Sequence, residues 1–237
     1  TRYMTISNHS NPESHPVDAG RRRLLGAAGA GAVAATLGGV APSGTEARQS
    51  PPQGALRWGI VATGGIANSM APRIQKAEGA TLAAVSSRRM ESAEEFARHH
   101  GVPNAFDSWE RMLASDVIDA VYIATPTSVR EEIGVAAAGR GKHVLGEKPF
   151  ASLESLQRIV AACRANGVGF MDGTHFPHLS RTQRIQQEMN SRVGRPWSVA
   201  SAFQFNLQNR SNIRYRPDLE PYGAIGDAGW YNMRAAV

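Results

Sequence analysis

Between about residues 55 and 172, short apolar segments alternate with segments long enough for helices, and this alternation constrains the fold more than any other feature. Residues 118–124 are almost continuously apolar, which is typical of a strand buried on both faces. Residues 153–166 fit a helix. Short buried strands that alternate with helices predict a doubly wound α/β domain, in which helices cover both faces of a parallel sheet.

The predicted elements follow one another regularly through this stretch. Strands are predicted at residues 56–62, 81–86, 118–124, 143–145 and 168–171. Helices are predicted at residues 66–77, 92–100, 131–140 and 153–166. Beyond them the pattern changes to a helix at 181–190, a strand at 197–207, an arginine-rich loop and a glycine-rich turn at 223–229. We therefore expect residues 173–237 to start a second, α+β domain.

Composition excludes several kinds of site. The single cysteine, Cys163, cannot form an intrachain disulfide, and no close group of four cysteines or histidines is present, so no metal site is predicted. The formal net charge is +6, but the basic residues are scattered, without a dense run or interleaved aromatic residues. We therefore expect no nucleic-acid partner.

The first 47 residues have the pattern of an export signal. Three consecutive arginines, Arg21 to Arg23, precede an uncharged segment, 24–41, that is rich in alanine and glycine. Paired arginines before a weakly apolar segment favour export by the twin-arginine machinery, and hence a periplasmic or otherwise exported protein. Alanine and glycine contribute little to membrane insertion, so no stable membrane span is expected. The alternative is a glycine-rich linker after a chance arginine cluster, and the cleavage site stays open.

One linker is predicted, and the end of the chain has a feature of its own. Residues 48–55 contain two prolines and fit a linker before the regular pattern begins. Residues 228–237 are helix-like, with no glycine, proline or basic stop signal after them. From this we expect the chain to be truncated at its C-terminus.

A glycine turn joins the first predicted strand to the first helix. Residues 62–67 read Ala-Thr-Gly-Gly-Ile-Ala, with Ala62 where a dinucleotide-binding turn usually has its first glycine. Such a turn lets the backbone approach a pyrophosphate at the N-terminus of a helix. The predicted cofactor-binding residues here are Thr63, Gly64, Gly65 and Ile66. The alternative is structural, because similar turns occur in sheets that bind nothing.

The end of the second strand distinguishes between the two nicotinamide dinucleotides. An acidic residue there would bind the ribose 2′-hydroxyl of NAD, but residues 86–89 read Ser-Ser-Arg-Arg. Hydroxyls and a guanidinium fit a 2′-phosphate, so Ser86, Ser87 and Arg88 favour NADP over NAD as the cofactor. A solvated basic turn is the alternative.

Two further strand ends and one later segment resemble a known family. The strand ends contain Thr125-Pro126-Thr127 and Glu147-Lys148-Pro149, and residues 226–231 read Gly-Asp-Ala-Gly-Trp-Tyr. With the glycine turn, these segments resemble the glucose-fructose oxidoreductase, inositol dehydrogenase and rhizopine-catabolism (Gfo/Idh/MocA) family. The resemblance covers about residues 56–231. It implies a Rossmann-type dinucleotide-binding domain over residues 56–172, with Thr125, Pro126, Glu147 and Lys148 near the cofactor, and a substrate domain that starts at residue 173.

The resemblance also implies catalytic residues. Lys148 matches the family's active-site lysine, and only Lys76 and Lys142 are present besides it, which makes a coincidental lysine improbable. Asp227 and Tyr231 match a further motif, with tyrosine in place of the usual histidine. A spacing of four on a helix puts both on one face, where a carboxylate can orient a substrate and a phenol can exchange a proton. The alternatives are a surface lysine and a buried aromatic residue.

The resemblance is incomplete in one place and open in another. The family often has a histidine where this chain has Arg130, which leaves a contact in doubt. His175 and His178 follow the last predicted strand of the sheet and are candidates for sugar contacts. A capping or packing role is an equal alternative.

The main functional hypothesis is an exported, NADP-dependent oxidoreductase that moves hydride between a sugar or polyol carbon and nicotinamide. A cofactor used outside the cytoplasm would have to stay bound and be recycled by a second substrate. A second hypothesis is a glycosidase of the same family that uses bound NAD, against which residues 86–89 argue. A third is an inactive nucleotide-binding fragment. For a full-length protein the resemblance implies a homo-oligomer.

Overall fold

Six parallel strands form one sheet in the computed structural model, which describes residues 54–236. The strand order is β3-β2-β1-β4-β5-β6. The bounds are β1 Leu56–Val61, β2 Ala80–Ser86, β3 Asn104–Phe106, β4 Ala120–Ile123, β5 His143–Gly146 and β6 Phe170–Asp172. The chain winds outward from β1 to β3 and then returns to place β4 beside β1. Ligands bind in the crevice that such a reversal leaves at the carboxyl ends of the strands.

Helices cover both faces of this sheet. Their bounds are α1 Gly65–Lys76, α2 Met90–His100, α3 Trp109–Leu113, α4 Arg130–Gly139, α5 Leu153–Ala165, α6 Ser180–Glu188 and α7 Trp230–Ala236. Successive strand residues point to opposite faces, so Ile60 packs with α1 and α2 while Val61 packs with α3, α4 and α5. A Cβ at Gly134 would lie 3.1 Å from Ile159, so the glycine lets α4 and α5 pack closely.

The predicted doubly wound parallel sheet is confirmed. The five predicted strands and four predicted helices between residues 56 and 171 lie within a few residues of their observed bounds. Two short elements, β3 and α3, were not predicted from the pattern. A three-residue strand and a five-residue helix are too short to show a hydrophobic period.

The predicted strand at residues 197–207 is wrong. These residues form no strand, and the Trp197 side chain is 99% exposed. The alternation of apolar residues there satisfies the sequence rule, but a strand also needs a neighbour to pair with its backbone groups. The predicted helix at 181–190 corresponds to α6, which continues into a π-helical turn at Met189–Val193. The predicted glycine-rich turn becomes a second π-helical turn, Ile225–Gly229, which leads into α7.

Residues beyond β6 add no strand to the sheet within the described part of the chain and contact the strand-end loops instead. The indole Nε1 of Trp230 donates a hydrogen bond to Thr174 Oγ1 at 2.7 Å, and the Tyr222 hydroxyl donates to the Ala151 carbonyl at 2.8 Å. The predicted domain boundary at residue 172 stays a prediction. The predicted export signal, residues 1–47, and most of the predicted linker lie outside the described residues.

Among residues 54–236, no helix combines the length and apolar character needed to cross a bilayer. Across the same residues, no three histidine, cysteine, aspartate or glutamate side chains are grouped so that they could hold a metal ion.

Candidate active site

The loop between β1 and α1 leaves the N-terminus of α1 without a side-chain cap. Gly64 is the N-cap residue and has extended backbone geometry, and the first turn of α1 has no acidic residue. A Cβ added at Gly64 or Gly65 would meet no protein atom within 4 Å. Open space before free helical N–H groups is the arrangement that binds phosphate oxygens.

Ala62 takes the strained conformation that the usual first glycine would accommodate. Its φ is +83°, and among the described non-glycine residues it alone has a positive φ. Its N–H still donates to the Ser86 carbonyl at 2.9 Å, so β1 and β2 stay paired at the turn. The alanine therefore preserves the turn while adding the steric strain of a left-handed residue with a Cβ.

Asn68 fixes the same loop from within α1, a role that the sequence pattern did not indicate. Its side-chain amide donates to the carbonyls of Thr63 and Gly64, at 2.9 and 3.0 Å. Its Oδ1 lies 2.8 Å from His100 Nε2, so that nitrogen carries the proton and donates. Burial and the neighbouring His99 lower the pKa of His100, which favours the neutral ring.

Two hydroxyl groups beside this loop are buried without a hydrogen-bond partner. Ser86 Oγ lies at the end of β2 and Thr125 Oγ1 follows β4, so the two flank β1 at the strand-order reversal. Buried polar groups are nearly always hydrogen-bonded, so unpaired ones indicate a missing partner. These groups and the open glycine loop fit a dinucleotide. Ser87 is half-buried next to Ser86, and Arg88 is exposed, both at the same strand end.

A buried polar network joins the ends of β4 and β5. The Arg130 guanidinium, 3% exposed, donates to the Thr125 carbonyl at 2.5 Å and to the Pro149 carbonyl. It also contacts Thr127 Oγ1 at 3.3 Å, and that hydroxyl donates to Glu220 Oε2 at 2.6 Å. Burial lowers the pKa of Arg130, and the nearby carboxylates oppose this effect. The family's usual histidine is thus replaced by a cation with its own buried partners.

Glu147 belongs to a second buried pair. The Tyr122 hydroxyl donates to Glu147 Oε1 at 2.6 Å, and burial together with the charge of Glu147 raises the pKa of Tyr122. A Cβ at Gly173 would approach Glu147 Oε1 to 2.9 Å, so glycine makes room for the carboxylate. Tyr122 was not predicted as a site residue, because its apolar surroundings in the sequence indicated only a core strand.

Lys148 lies between the two residues predicted to act with it. Its Nζ, on a residue 9% exposed, donates to Asp227 Oδ1 at 2.5 Å and to the Asp227 carbonyl at 3.1 Å. The same atom lies 4.4 Å from the centre of the Tyr231 ring. Asp227 lies in the π-helical turn and Tyr231 in α7, so the predicted spacing of four does bring both to one place.

The charges around Lys148 set the ionisation of its neighbours. Arg214 Nε donates to Asp227 Oδ2 at 2.6 Å. Burial works to raise the pKa of Asp227, but the hydrogen bonds from Arg214 and Lys148 hold it below its usual value. Burial raises the pKa of Tyr231, and the charges of Glu147 and Asp227 add to this effect. The site therefore holds an ionised carboxylate and a protonated phenol near neutral pH.

One cavity of about 300 Å³ connects the nucleotide side to these groups. Its lining includes the predicted residues Ile66, Thr125, Glu147, Lys148, His175, Asp227 and Tyr231. The Tyr231 ring packs edge-on against Phe203, with ring centres 5.4 Å apart. His175 Nε2 is buried without a partner. The lining does not include His178, which is exposed, nor Pro126 or the residues at the end of β2.

Other unpredicted residues line this cavity, among them Arg130, Arg214 and Glu220. Arginines are so numerous in this sequence that none of them stands out by type. A larger cavity of about 460 Å³ lies beyond Pro149 and is lined by Phe150, Trp230 and other mostly apolar groups. It lacks the paired charges that proton or hydride transfer requires, so the smaller cavity is the candidate active site.

Comparison with known proteins agrees with this geometry. Residues 56–174 match the Gfo/Idh/MocA family model, described as an oxidoreductase family with an NAD-binding Rossmann fold. The chain is 36% identical, over 76% of its length and 56% of the relative's, to D-xylose 1-dehydrogenase (NADP(+)) 2 of Haloferax volcanii. It is also 36% identical, over 77% of its length and 57% of the relative's, to scyllo-inositol 2-dehydrogenase (NADP(+)) of Bacillus subtilis.

A solved structure gives the same result. A 3-ketoreductase from Actinomadura kijaniata, crystallised with TDP-benzene and NADP, superposes with a TM-score of 0.73 at 28% identity. The superposition covers 77% of this chain and 56% of that one. The chain thus spans a little over half the length of the curated relatives that it matches.

Proposed function

We propose that this chain, which belongs to the Gfo/Idh/MocA family of oxidoreductases, is part of an NADP-dependent enzyme that acts on a CH–OH group of a sugar or polyol. One observation carries the proposal. The Lys148 ammonium lies between the Asp227 carboxylate and the Tyr231 ring, in a cavity that continues to Thr125 on the nucleotide side. This places hydrogen-bond donors for a substrate oxygen next to the predicted cofactor site.

Residues of two strand ends would hold NADP. The uncapped N-terminus of α1 fits the pyrophosphate, and the buried Ser86 hydroxyl with Ser87 and Arg88 fits the 2′-phosphate. The two relatives named above carry NADP(+) in their names, which supports this choice over NAD. When bound, NADP supplies the nicotinamide carbon that gives or accepts the hydride.

The chain's own residues would bind and polarise the substrate oxygen. The Lys148 ammonium can donate a hydrogen bond to that oxygen and stabilise the negative charge that develops on it. Tyr231 keeps its proton near neutral pH because its pKa is raised, so its hydroxyl is suited to protonate a carbonyl oxygen during reduction. Asp227 holds the ammonium in place through two contacts.

The test begins with the binding of NADPH and NADH to the full chain, which is measured by fluorescence titration. Loss of NADPH absorbance is then followed with a panel of aldoses, keto sugars and inositols. We expect tighter binding of NADPH and oxidation of it by at least one sugar, with about a 10²-fold lower rate in Tyr231→Phe. Binding without turnover would support nucleotide binding alone, and absence of binding would overturn the proposal.

We also propose export by the twin-arginine machinery, which the arginine cluster at residues 21–23 supports. A reporter that functions only outside the cytoplasm, fused after residue 55, should be active with the native sequence. Replacement of Arg22 and Arg23 by lysine should abolish reporter activity, whereas replacement of the nearby Asp18 by asparagine should not. Equal activity of all three fusions would contradict the proposal.

A homo-oligomer is proposed for the full-length protein. The exposed side chains of Ile225 and Met233 line the same mostly apolar cavity and support it, because contiguous exposed apolar patches are typical of interfaces. Sedimentation velocity over a range of protein concentrations tests it. A species of monomer mass at all concentrations would contradict it.

A further inference from the structure

We infer that Arg130 is a positioning residue that holds the loop after β5, residues 147–152 (the Lys148 loop), against the loop after β4, with Glu220 as its buried counter-charge. The inference rests on the proposed function, because it concerns the placement of the lysine proposed to bind the substrate oxygen. It goes beyond that function by assigning a role to Glu220, which no motif indicates, and to Arg130, which the motifs marked only as a departure from the family's usual histidine.

The first observation is that one guanidinium spans two strand ends. Arg130 donates to the carbonyl of Thr125, which follows β4, and to the carbonyl of Pro149, which directly follows Lys148. Arginine presents its N–H groups in a rigid planar fork, so two carbonyls bound to it are held at a set separation. The separation of these two loops determines where Lys148 lies relative to the nucleotide side of the cavity.

The second observation is the burial of a charge network, in which Arg130 Nε is left without a hydrogen-bond partner. Arg130 and Glu220 are 3% and 8% exposed, and both contact the Thr127 hydroxyl. The Thr127 N–H also donates to Glu220 Oε1 at 3.1 Å. Replacing such a network with packed apolar residues is often neutral for stability, so its presence next to a site favours a specific geometric role.

The third observation is that the network reaches Lys148 from both sides. Arg130 holds the carbonyl of the following residue, Pro149, in the loop after β5. Glu220 holds the segment that carries Asp227, whose carboxylate and carbonyl both accept hydrogen bonds from Lys148. Loss of the guanidinium should therefore release the Lys148 loop and leave the sheet intact.

Lysine labelling tests this without any turnover. The chain has only three lysines, so the other two serve as internal references for Lys148. A limiting amine-acylating reagent is applied to the cofactor-free full chain, and the rate at each lysine is read by peptide mass spectrometry. Lys76 is exposed and reports reagent activity. Lys142 donates to the carbonyls of Ser115 and Ile118 and reports whether the fold is intact.

Arg130→Met should raise the labelling rate at Lys148 by about tenfold or more and leave the rate at Lys142 unchanged. Arg130→Lys, which keeps the charge but loses the fork, should give an intermediate rate. Arg158→Met is the matched control, because Arg158 pairs with Glu131 on α4, the residue next to Arg130, at the surface. It should leave all three rates unchanged. An unchanged Lys148 rate in Arg130→Met, or a parallel rise at Lys142, would overturn the inference.

Kinetics then separate positioning from stability. If the enzyme turns over a sugar, Arg130→Met should lower kcat by about 10- to 100-fold and change KM by less than about threefold. A fall in active-site concentration alone, with kcat per folded molecule unchanged, would contradict the inference. Failure of the proposed function is recognised separately, because the labelling result does not depend on it.

Discussion

The two halves of the sheet's carboxyl edge are built in opposite ways. At β1 and β2 the edge is open: Gly64 and Gly65 face empty space, and the Ser86 hydroxyl has no partner. At β4 and β5 the edge is filled by buried side chains that bond to one another, chiefly Arg130 and Glu147 with their partners.

The difference shows which groups, backbone or side chain, each half would use. An open edge of backbone N–H groups and small residues can bind a pyrophosphate through the backbone, and a side chain such as Arg88 can add selectivity for a 2′-phosphate. A filled edge holds individual charged groups within fractions of an ångström, which proton and hydride transfer require. We therefore expect changes in the first half to alter cofactor affinity, and changes in the second to alter the rate of the chemical step.

The largest expected effect comes from the filled half. Lys148→Met should lower the rate of NADPH oxidation by a sugar by about 10²- to 10⁴-fold, because the developing charge loses its donor. NADPH affinity should fall by less than about tenfold, since most of its proposed contacts lie at the open half. Stopped-flow kinetics and fluorescence titration measure the two. Lys142→Met is the control, and an equal loss of rate in both variants would refute the distinction between the halves.

The next effect concerns the open half. Arg88→Ala should weaken NADP binding by about 10- to 100-fold, because a charged hydrogen bond to the 2′-phosphate is lost. NAD affinity should not change. Arg89→Ala, at the neighbouring exposed arginine, is the matched control and should alter neither affinity. Calorimetric titration with both dinucleotides decides, and equal weakening of NAD and NADP would remove the assignment of Arg88.

Acid should weaken the ion pairs that Asp227 makes with Lys148 and Arg214. The lowered pKa of Asp227 means that its ion pairs contribute to the free energy of unfolding above the carboxyl's ordinary pKa of about 3.9, and this contribution is lost as pH falls through the folded pKa. Urea unfolding at a series of acidic pH values should show that the free energy of unfolding falls less steeply with decreasing pH in Asp227→Asn than in the native chain.

Asp119 provides the comparison for that measurement. Its pKa is also lowered, through its hydrogen bonds to Arg57, but it lies at the opposite end of the strands from the site. Asp119→Asn should make the free energy of unfolding less sensitive to acid and leave sugar-dependent turnover unchanged. Asp227→Asn should also make it less sensitive to acid, but should lower the rate of turnover. The assignment fails if the acid limb of Asp227→Asn superimposes on that of the native chain.

The smallest effect concerns the strained turn. Ala62→Gly should raise the free energy of unfolding by up to about 1 kcal/mol, because relief of left-handed strain exceeds the added freedom of the unfolded chain. The control is Ala67→Gly, in helix α1, which should lower it by about 1 kcal/mol or more. Chemical denaturation measures both, and changes of the same sign would contradict the strain at Ala62.

Much of the candidate site was predicted from residue type and position. Glu147, Lys148 and Thr125 were predicted from the family resemblance, and the structure places them after β4 and β5, where the carboxyl ends of the parallel strands meet at one edge. Asp227 and Tyr231 were predicted from a resemblance, and the structure brings both to Lys148. Their roles remain predictions. Arg130, Arg214 and Glu220 were missed as functional residues, since long charged side chains carry no periodic pattern that distinguishes buried members from solvated ones.

The sequence by itself determined the parallel sheet, because the period of apolar residues decides which elements can bury both faces. It also determined the glycine turn, where the need for open backbone limits the choice of residue. Tertiary structure decided which charges are paired, and it decided against the strand at residues 197–207, because both depend on partners far away in the chain. Hydrogen bonds such as that between Thr127 and Glu220 join residues 93 positions apart, and no local rule can anticipate them.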